Sequence, residues 1–215
     1  MAIPVIEPYA MPAEHELPEN IAPWTISPRR ALLLVHDMQN YFLRPFRPEQ
    51  EPMRELVANI VSLRAECERH GIPVAYTAQP GGMTDQERGL LKDFWGPGMS
   101  TDPAHRRIVE GLSPADADVV LTKWRPSAFC RTELLELMRA RGRDQLVICG
   151  VYAHVGILMT AHEGFSHDIE TFLVADAVAD FSPDHHRLAL DYAASRCSVT
   201  VSTRSALAML DGGTR

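Results

Sequence analysis

The chain has 215 residues, of which 46% are hydrophobic and 23% are charged, the balance and size of an ordinary one-domain globular protein. Its 28 acidic residues against 21 basic ones give a formal net charge of −7, which argues against nucleic acid or an anionic membrane as the main partner. No basic segment precedes an apolar run at the start and the apolar runs are only of strand length, so we expect a cytoplasmic protein without a signal peptide or a membrane span.

The first 28 residues predict an irregular, proline-rich N-terminal arm. Proline interrupts regular elements because it lacks a backbone N–H and fixes one dihedral angle. The six prolines of this stretch are Pro4, Pro8, Pro12, Pro18, Pro23 and Pro28. Arms of this kind often wrap a neighbouring surface, for which a dimer partner is one candidate, so we expect a homodimer. After the arm no linker divides the sequence, and we expect one domain over residues 1–215.

Beyond the arm, apolar runs of strand length alternate with helical patterns. The continuous run Ala31–His36 is typical of a strand buried on both faces, and Pro52–His70 carries apolar residues at helical spacing before Gly71. Further strands are predicted at Ile72–Thr77, Asp118–Thr122, Gln145–Cys149, Thr171–Ala175 and Ser198–Ser202. Further helices are predicted at Thr132–Arg141, His154–Ser166, Pro183–Ser195 and Arg204–Leu210.

Strands that alternate with helices imply crossover connections and a parallel sheet covered on both faces. The pattern therefore predicts a doubly wound, three-layer α/β/α fold with a six-stranded, mostly parallel sheet. Such folds bind ligands outside the carboxyl ends of their strands. Asp37, Gln79, Lys123 and Tyr152 follow the first four predicted strands. We therefore expect an acid, an amide, an amine and a phenol to meet at one edge of the sheet.

Signals for several other chemistries are missing from the sequence. The histidines form no metal motif, because His185 and His186 are adjacent rather than four residues apart and the others lack partners at ligand spacing. There is no P-loop, no GxGxxG and no GxSxG, so we expect neither a cofactor, nor a metal, nor a serine nucleophile. The four cysteines form no CxxC pair and are expected to be free thiols in a reducing compartment.

Long stretches of the sequence resemble the isochorismatases. They are HDMQNYF at His36–Phe42, the segment Tyr76–Met99, LTKWRPSAF at Leu121–Phe129, ICGVYAHVG at Ile148–Gly156 and FLVADAVADFS at Phe172–Ser182. The resemblance covers nearly the whole chain. The sequence is similar to two groups, the isochorismatase of catecholate siderophore synthesis and the phenazine-pathway enzyme that acts on 2-amino-2-deoxyisochorismate. Both substrates stay open at this point.

The resemblance also implies how this chain differs from the cysteine hydrolases of the wider superfamily, which use an Asp–Lys–Cys triad. Asp37 and Lys123 match the first two members, whereas the cysteine position is Gly156. TAQPGG stands where the nicotinamidases carry an Asp-x-His-type metal cluster, so the resemblance implies no metal. Pro126 replaces the aromatic residue that relatives usually carry, and it restricts Arg125 to extended conformations.

The resemblance implies hydrolysis of a vinyl ether, the enolpyruvyl group, with release of pyruvate. This reaction needs a proton on the terminal methylene carbon and then water, but no side-chain nucleophile. Asp37 is the expected general acid, whose pKa burial raises, and Lys123 is expected to hold a substrate carboxylate and orient Asp37. The positive charge of Lys123 opposes that rise in pKa, and the sequence alone leaves the balance open.

The expected substrate is a small molecule with two carboxylates. The resemblance implies polar partners for it at Gln79, Arg88 and the backbone near Gly156, and apolar walls at Phe42, Trp95 and Tyr152. Two alternatives remain at this point. One is a non-catalytic scaffold of the same fold that presents its arm to a partner, and the other is an amidase of the wider superfamily, which the missing cysteine opposes.

Overall fold

The computed structural model describes residues 3–212, and its centre is a sheet of six strands. The strands are β1 (Ala31–His36), β2 (Val74–Ala78), β3 (Val119–Thr122), β4 (Gln145–Val151), β5 (Glu170–Ala179) and β6 (Val199–Val201). Their order in the sheet is β3-β2-β1-β4-β5-β6, and every neighbouring pair is parallel. The predicted α/β fold is confirmed, with a sheet that is parallel throughout.

Nine α-helices lie within the described residues. They are α1 (Asn40–Leu43), α2 (Met53–His70), α3 (Asp85–Arg88), α4 (Leu91–Trp95), α5 (Pro103–Arg106), α6 (Leu134–Ala140), α7 (Leu158–Ser166), α8 (Pro183–Arg196) and α9 (Thr203–Gly212). A 3-10 turn at Glu14–Glu16 and a π-helical turn at Ala153–Ile157 complete the set. Between residues 3 and 212, no helix has both the length and the apolar character needed to cross a bilayer.

Hydrophobic layers cover both faces of the sheet, as the unbroken apolar run of β1 predicts. Leu33 and Val35 face the layer that contains α2 and α9, whereas Leu32 and Leu34 face the layer that contains α6, α7 and α8. The chain winds in one direction from β1 through β2 to β3 and in the other from β4 to β6. The carboxyl ends of β1 and β4 therefore form the point where the winding reverses, which is where such folds bind ligands.

The sequence missed mainly short elements and strand extensions. Four helices of four or five residues, α1, α3, α4 and α5, were not predicted, because so short a segment has no measurable apolar period. Strand β5 runs four residues beyond its predicted end at Ala175, and its pairing with β4 shifts register between Ile148 and Gly150. The shift is a bulge of the kind often found next to active sites.

The N-terminal arm packs on its own chain. Ile6, Met11 and Ile26 are buried in the layer of α2 and α9, and the Ile6 N–H donates to the Pro45 carbonyl at 3.1 Å. The arm therefore packs against its own chain, whereas a dimer partner was one candidate from the sequence.

Candidate active site

A pocket opens at the carboxyl edge of the sheet, over the ends of β1, β2, β3 and β4. All eight site residues expected from the sequence line it, together with residues that were not expected. The eight are Asp37, Phe42, Gln79, Arg88, Trp95, Lys123, Tyr152 and Gly156. The structure therefore brings the set together, while the role of each residue stays a proposal.

A buried carboxylate lies at the floor of the pocket, where side chains on or just after two neighbouring strands hold it by hydrogen bonds. Asp37 directly follows β1 and adopts a left-handed backbone angle, φ 52°, which aspartate tolerates better than most residues. The Thr77 hydroxyl of β2 accepts from the Asp37 N–H at 3.0 Å and donates to Asp37 Oδ1 at 2.6 Å. Lys123, just after β3, donates from Nζ to Asp37 Oδ2 at 2.7 Å. Both oxygens of the carboxylate are therefore held.

The electrostatic balance at Asp37 favours the ionised form in the empty pocket. Burial raises the pKa of Asp37, but the charge of Lys123, the neighbouring His36 and hydrogen bonds from Lys123 and Thr77 lower it, and the net effect is a pKa below the usual value. The sequence left open whether burial or Lys123 dominates the pKa of Asp37, and in the structure the groups around Asp37, Lys123 first, outweigh burial. Asp37 reaches the protonated form only when something offsets Lys123.

His36, the last residue of β1, is a fully buried neutral imidazole beneath this pair. Its Nδ1 bonds the Val151 carbonyl at 2.8 Å, so the proton sits on Nδ1. Burial, followed by the positive charge of Lys123, lowers the pKa of His36 to about 4. Within residues 3–212 its Nε2 has no hydrogen-bond partner. Sequence reasoning assigned no role to His36.

Gln39 is a further residue that sequence reasoning missed. Its buried side chain accepts from the Gln79 N–H at 2.8 Å and donates to the carbonyls of Gln79 at 3.0 Å and Arg106 at 2.8 Å. It thus fixes the segment after β2 and leaves the Gln79 side chain directed to the pocket lining. The available signal was its place inside the quoted motif HDMQNYF, two residues after Asp37.

Two guanidinium groups line the pocket without a carboxylate partner among the described residues. Arg88 is buried, and it donates from Nε to the Gly96 carbonyl at 2.9 Å. Its plane lies against Gly98, where a Cβ would come within 2.8 Å of Cζ. Arg125, which the sequence did not place in the site, donates to the carbonyls of Glu87 and Trp124, both at 2.7 Å. Burial lowers the pKa of Arg88, the cost of a desolvated cation that an anionic ligand would offset.

Aromatic rings form the remaining walls. The Tyr152 ring contacts Phe181 at 4.5 Å between centroids and stacks on Phe46 at 6.0 Å, while Trp95 contacts Phe181 at 6.0 Å. The Tyr152 hydroxyl donates to the Phe42 carbonyl. Its phenol is therefore already bonded within the protein, and its contribution to the pocket is the apolar ring.

Gly156 lies in the π-helical turn that follows β4. Its N–H donates to the Tyr152 carbonyl at 3.1 Å, and its carbonyl accepts from the Thr160 hydroxyl at 2.7 Å. Both backbone groups are therefore engaged, and what Gly156 offers the pocket is the absence of a side chain. The expected polar role of this backbone finds no free donor at Gly156 itself.

Comparisons with known proteins agree with this geometry. The family model described as the isochorismatase domain matches residues 31–205. A phenazine biosynthesis protein of Pseudomonas aeruginosa is 58% identical over 206 residues, which are 95% of this chain and 98% of that protein. The chain belongs to the isochorismatase family. An isochorismatase of Bacillus subtilis is 55% identical over 98% of this chain and 67% of that protein.

The fold of this isochorismatase-family chain is shared with a crystal structure of a cysteine hydrolase from Pseudomonas syringae. That structure matches with a TM-score of 0.81 at 21% identity, over 91% of this chain and 98% of the other. At such low identity the likeness concerns the fold alone. Among residues 3–212 of this family member, no thiol lines the pocket. The Sγ of Cys149 is buried in β4 and contacts the Leu34 carbonyl at 3.5 Å. Burial raises the pKa of this thiol.

One group of side chains in the described part of the chain has the spacing to hold a metal ion, but it is not part of the pocket. Glu66 and His70 lie in the last turns of α2 and Asp211 near the end of α9. Helix α2 ends just before β2 begins, so this group lies at the opposite edge of the sheet from Asp37. Arg69 already pairs with both carboxylates there.

Proposed function

We propose that this chain hydrolyses the enolpyruvyl vinyl ether of isochorismate or of 2-amino-2-deoxyisochorismate. The single observation that carries the proposal is the combination at the pocket floor, a buried acid and ammonium with glycine rather than cysteine at position 156. The family membership supports the same reaction type. The names of the relatives include both a phenazine biosynthesis protein and an isochorismatase, so both substrates stay in the proposal.

The reaction begins with transfer of a proton from Asp37 to the terminal methylene carbon of the enolpyruvyl group. The carbon that bears the ether oxygen becomes an oxocarbenium ion, which the newly formed carboxylate stabilises. Water adds to this carbon and loses a proton, and the resulting hemiketal collapses to pyruvate and the ring alcohol. The Asp37 carboxylate accepts the proton that water releases, so the acid is restored at the end of the cycle.

Lys123, Arg88 and Arg125 match the charge of a substrate with two carboxylates. Lys123 Nζ bonds the acid directly, whereas the two arginines line the same pocket without carboxylate partners of their own among residues 3–212. A guanidinium binds a carboxylate through two parallel hydrogen bonds. We assign one substrate carboxylate to the arginine pair and the other to Lys123.

This assignment also supplies the proton that the chemistry needs. Asp37 is ionised in the empty pocket because Lys123 lowers its pKa. A substrate carboxylate at Lys123 takes up part of the ammonium's charge and adds a negative charge next to Asp37, and both effects raise the pKa of the acid. Binding of the dianion thereby recruits a proton to Asp37, which transfers it to the methylene carbon.

No feature of the pocket favours the amidase or scaffold alternatives. An amidase that acts through a thioester needs a nucleophile at the floor, where this chain has Gly156. A scaffold has no use for the buried Arg88 guanidinium, which has no carboxylate partner among residues 3–212 and costs free energy unless an anion binds it.

The decisive experiment is turnover of both substrates by the purified protein. Pyruvate is measured with a lactate dehydrogenase coupling system, and the ring product is identified by mass spectrometry. We expect stoichiometric pyruvate from at least one substrate and a large loss of rate in Asp37→Asn. Asp118→Asn, which alters a carboxylate paired with Arg64 outside the pocket, is the matched control. Wild-type protein that releases pyruvate from neither substrate refutes the proposal.

We also propose a homodimer that works in the cytoplasm. Helices α7 and α8 expose a group of apolar side chains on adjacent faces: Met159, Phe165, Leu188 and Tyr192. The His162 and Tyr192 rings, 6.4 Å apart, join the two helices there. Light scattering should show a dimer for the wild type and a monomer for Leu188→Glu, with Val61→Glu, on exposed surface of α2, as the control. The four free cysteines fit a reducing compartment.

A further inference from the structure

The backbone at Gly156 does not itself require glycine. Several glycines in the chain have a positive φ that other residues rarely adopt, but Gly156 is not among them. It lies in the π-helical turn after β4, and its φ is outside the positive range that L-residues rarely adopt. The reason for glycine at this position must therefore be space.

The space that a side chain at position 156 needs is filled by the ring of His36. An added Cβ would lie 2.3 Å from His36 Cε1, 3.0 Å from Nε2 and 3.1 Å from the Pro126 carbonyl oxygen. Contacts below 3.0 Å do not occur between a Cβ and such atoms, so either the ring or the turn would have to move.

The ring of His36 has little freedom to move. It is fully buried, and its Nδ1–H is held by the Val151 carbonyl at 2.8 Å on the neighbouring strand. Its low pKa keeps it neutral, so no charge beside Lys123 disturbs it. Its Nε2 makes no well-formed hydrogen bond within residues 3–212, although the Pro126 carbonyl is near enough to raise the pKa of the ring, so the bond that holds the ring is the one to Val151.

We propose that His36 determines which residues position 156 can carry, and thereby commits the pocket to a reaction that uses free water as the nucleophile. The volume that the ring fills adjoins the acid, since Nδ1 lies 3.8 Å from Asp37 Oδ2. A side chain at position 156 would begin in this volume, beside Asp37 and Lys123. His36 is thus a specificity-determining residue that acts by exclusion, and this inference rests on the proposed function.

The inference predicts that the two positions are coupled although they are far apart in sequence. Gly156→Ala should lower Tm and reduce kcat/KM by at least about tenfold, the consequence of overpacking a buried site. His36→Asn keeps a donor for the Val151 carbonyl but removes Cε1 and Nε2, the two atoms that collide. The double variant His36→Asn/Gly156→Ala should therefore regain Tm and at least about tenfold in kcat/KM over Gly156→Ala, the size of coupling expected for residues in contact.

The matched control uses the other deeply buried histidine. His186 bonds the Ala175 carbonyl through Nε2 at 2.9 Å, a bond that glutamine can imitate, and it does not face Gly156. His186→Gln/Gly156→Ala should stay as impaired as Gly156→Ala. If Gly156→Ala is insoluble, the yield of soluble folded protein replaces Tm, with recovery expected only in the His36 double variant.

The outcomes separate this inference from the proposed function. Gly156→Ala with wild-type Tm and kcat/KM would overturn the inference, as would equal behaviour of the two double variants. A wild-type protein that releases no pyruvate refutes the proposed function and removes the mechanistic half of the inference. The Tm cycle alone then still decides whether His36 excludes side chains from position 156.

Discussion

Replacing Lys123 by methionine removes the positive charge of the buried pair and keeps most of the side chain's length. The two charged atoms lie 2.7 Å apart, with side-chain exposures of 3% for Lys123 and 7% for Asp37. At an effective dielectric constant of about 20 their attraction is about 6 kcal/mol, against which stand desolvation costs of several kcal/mol per ion. Losing one partner leaves the other charge buried alone, so we expect the free energy of unfolding to fall by about 3–5 kcal/mol at pH 8.

The pH dependence of this loss tests its cause. In the wild type the pKa of Asp37 is lowered, so its contribution to stability is present above the unfolded value of about 3.9 and is lost as pH falls through the folded pKa. In Lys123→Met burial acts without the ammonium and raises the pKa above that of the unfolded chain. The variant then loses stability as pH rises and recovers part of it on acidification. The gap between the two proteins should therefore be smaller at pH 5 than at pH 8.

Urea unfolding followed by tryptophan fluorescence at the two pH values measures this gap. Lys92→Met, which breaks an exposed pair with Asp85, is the control and should change the free energy of unfolding by less than about 1 kcal/mol. The double variant Asp37→Asn/Lys123→Met should recover part of the loss because no charge remains buried. A loss below about 1 kcal/mol at pH 8, or one that is equal at both pH values, would refute the reasoning.

Three further predictions concern catalysis. Asp37→Asn should lower kcat by at least about 10² with little change in KM, because it removes the proton donor but keeps the shape; an unchanged kcat in folded protein rules out Asp37 as the acid. Arg125→Gln should raise KM by about 10–100-fold with a smaller effect on kcat. Arg139→Gln, exposed on α6, is the control and should leave both constants unchanged. Equal KM values for Arg125→Gln and the wild type would contradict a role of Arg125 in binding a substrate carboxylate. Native alkylation with iodoacetamide and dialysis against EDTA should leave turnover intact, and loss of activity that a divalent ion restores would contradict the prediction that the reaction needs no metal.

The site residues that directly follow strands could be located from the sequence, and the structure gives the reason. In a parallel sheet the residues after successive strands share one edge, so Asp37, Gln79 and Lys123 had to meet there. Arg125 was not assigned to the site although it lies two residues beyond Lys123, because the reach of a long side chain cannot be inferred from strand ends. Arg88 and Trp95 were placed only by resemblance, since they stand on helices of four and five residues that show no period.

Contacts between buried side chains could not be predicted from the sequence, for a different reason. The apolar run Ala31–His36 predicted a buried strand, but nothing in it says that the last ring fills the space at Gly156, which follows 120 positions later. The net pKa of Asp37 also depends on distances, since burial and the ammonium act in opposite directions and only the 2.7 Å contact decides between them.

That balance leads to a last prediction, which joins the site's charges to its chemistry. Because Asp37 is ionised beside Lys123, it must gain a proton before it can donate one to carbon. The dianionic substrate is the only partner in the cycle that brings negative charge to Lys123, so binding itself should raise the pKa of the acid and draw the proton from solution. A saturated analogue, with the vinyl ether reduced and both carboxylates kept, should therefore bind with uptake of a large fraction of one proton at pH 7.5. Calorimetry in two buffers of different ionisation enthalpy measures this uptake, which should vanish in Asp37→Asn, where no carboxylate titrates. If the wild-type binding enthalpy does not depend on the buffer, the proton must reach the substrate by a route that does not start at Asp37.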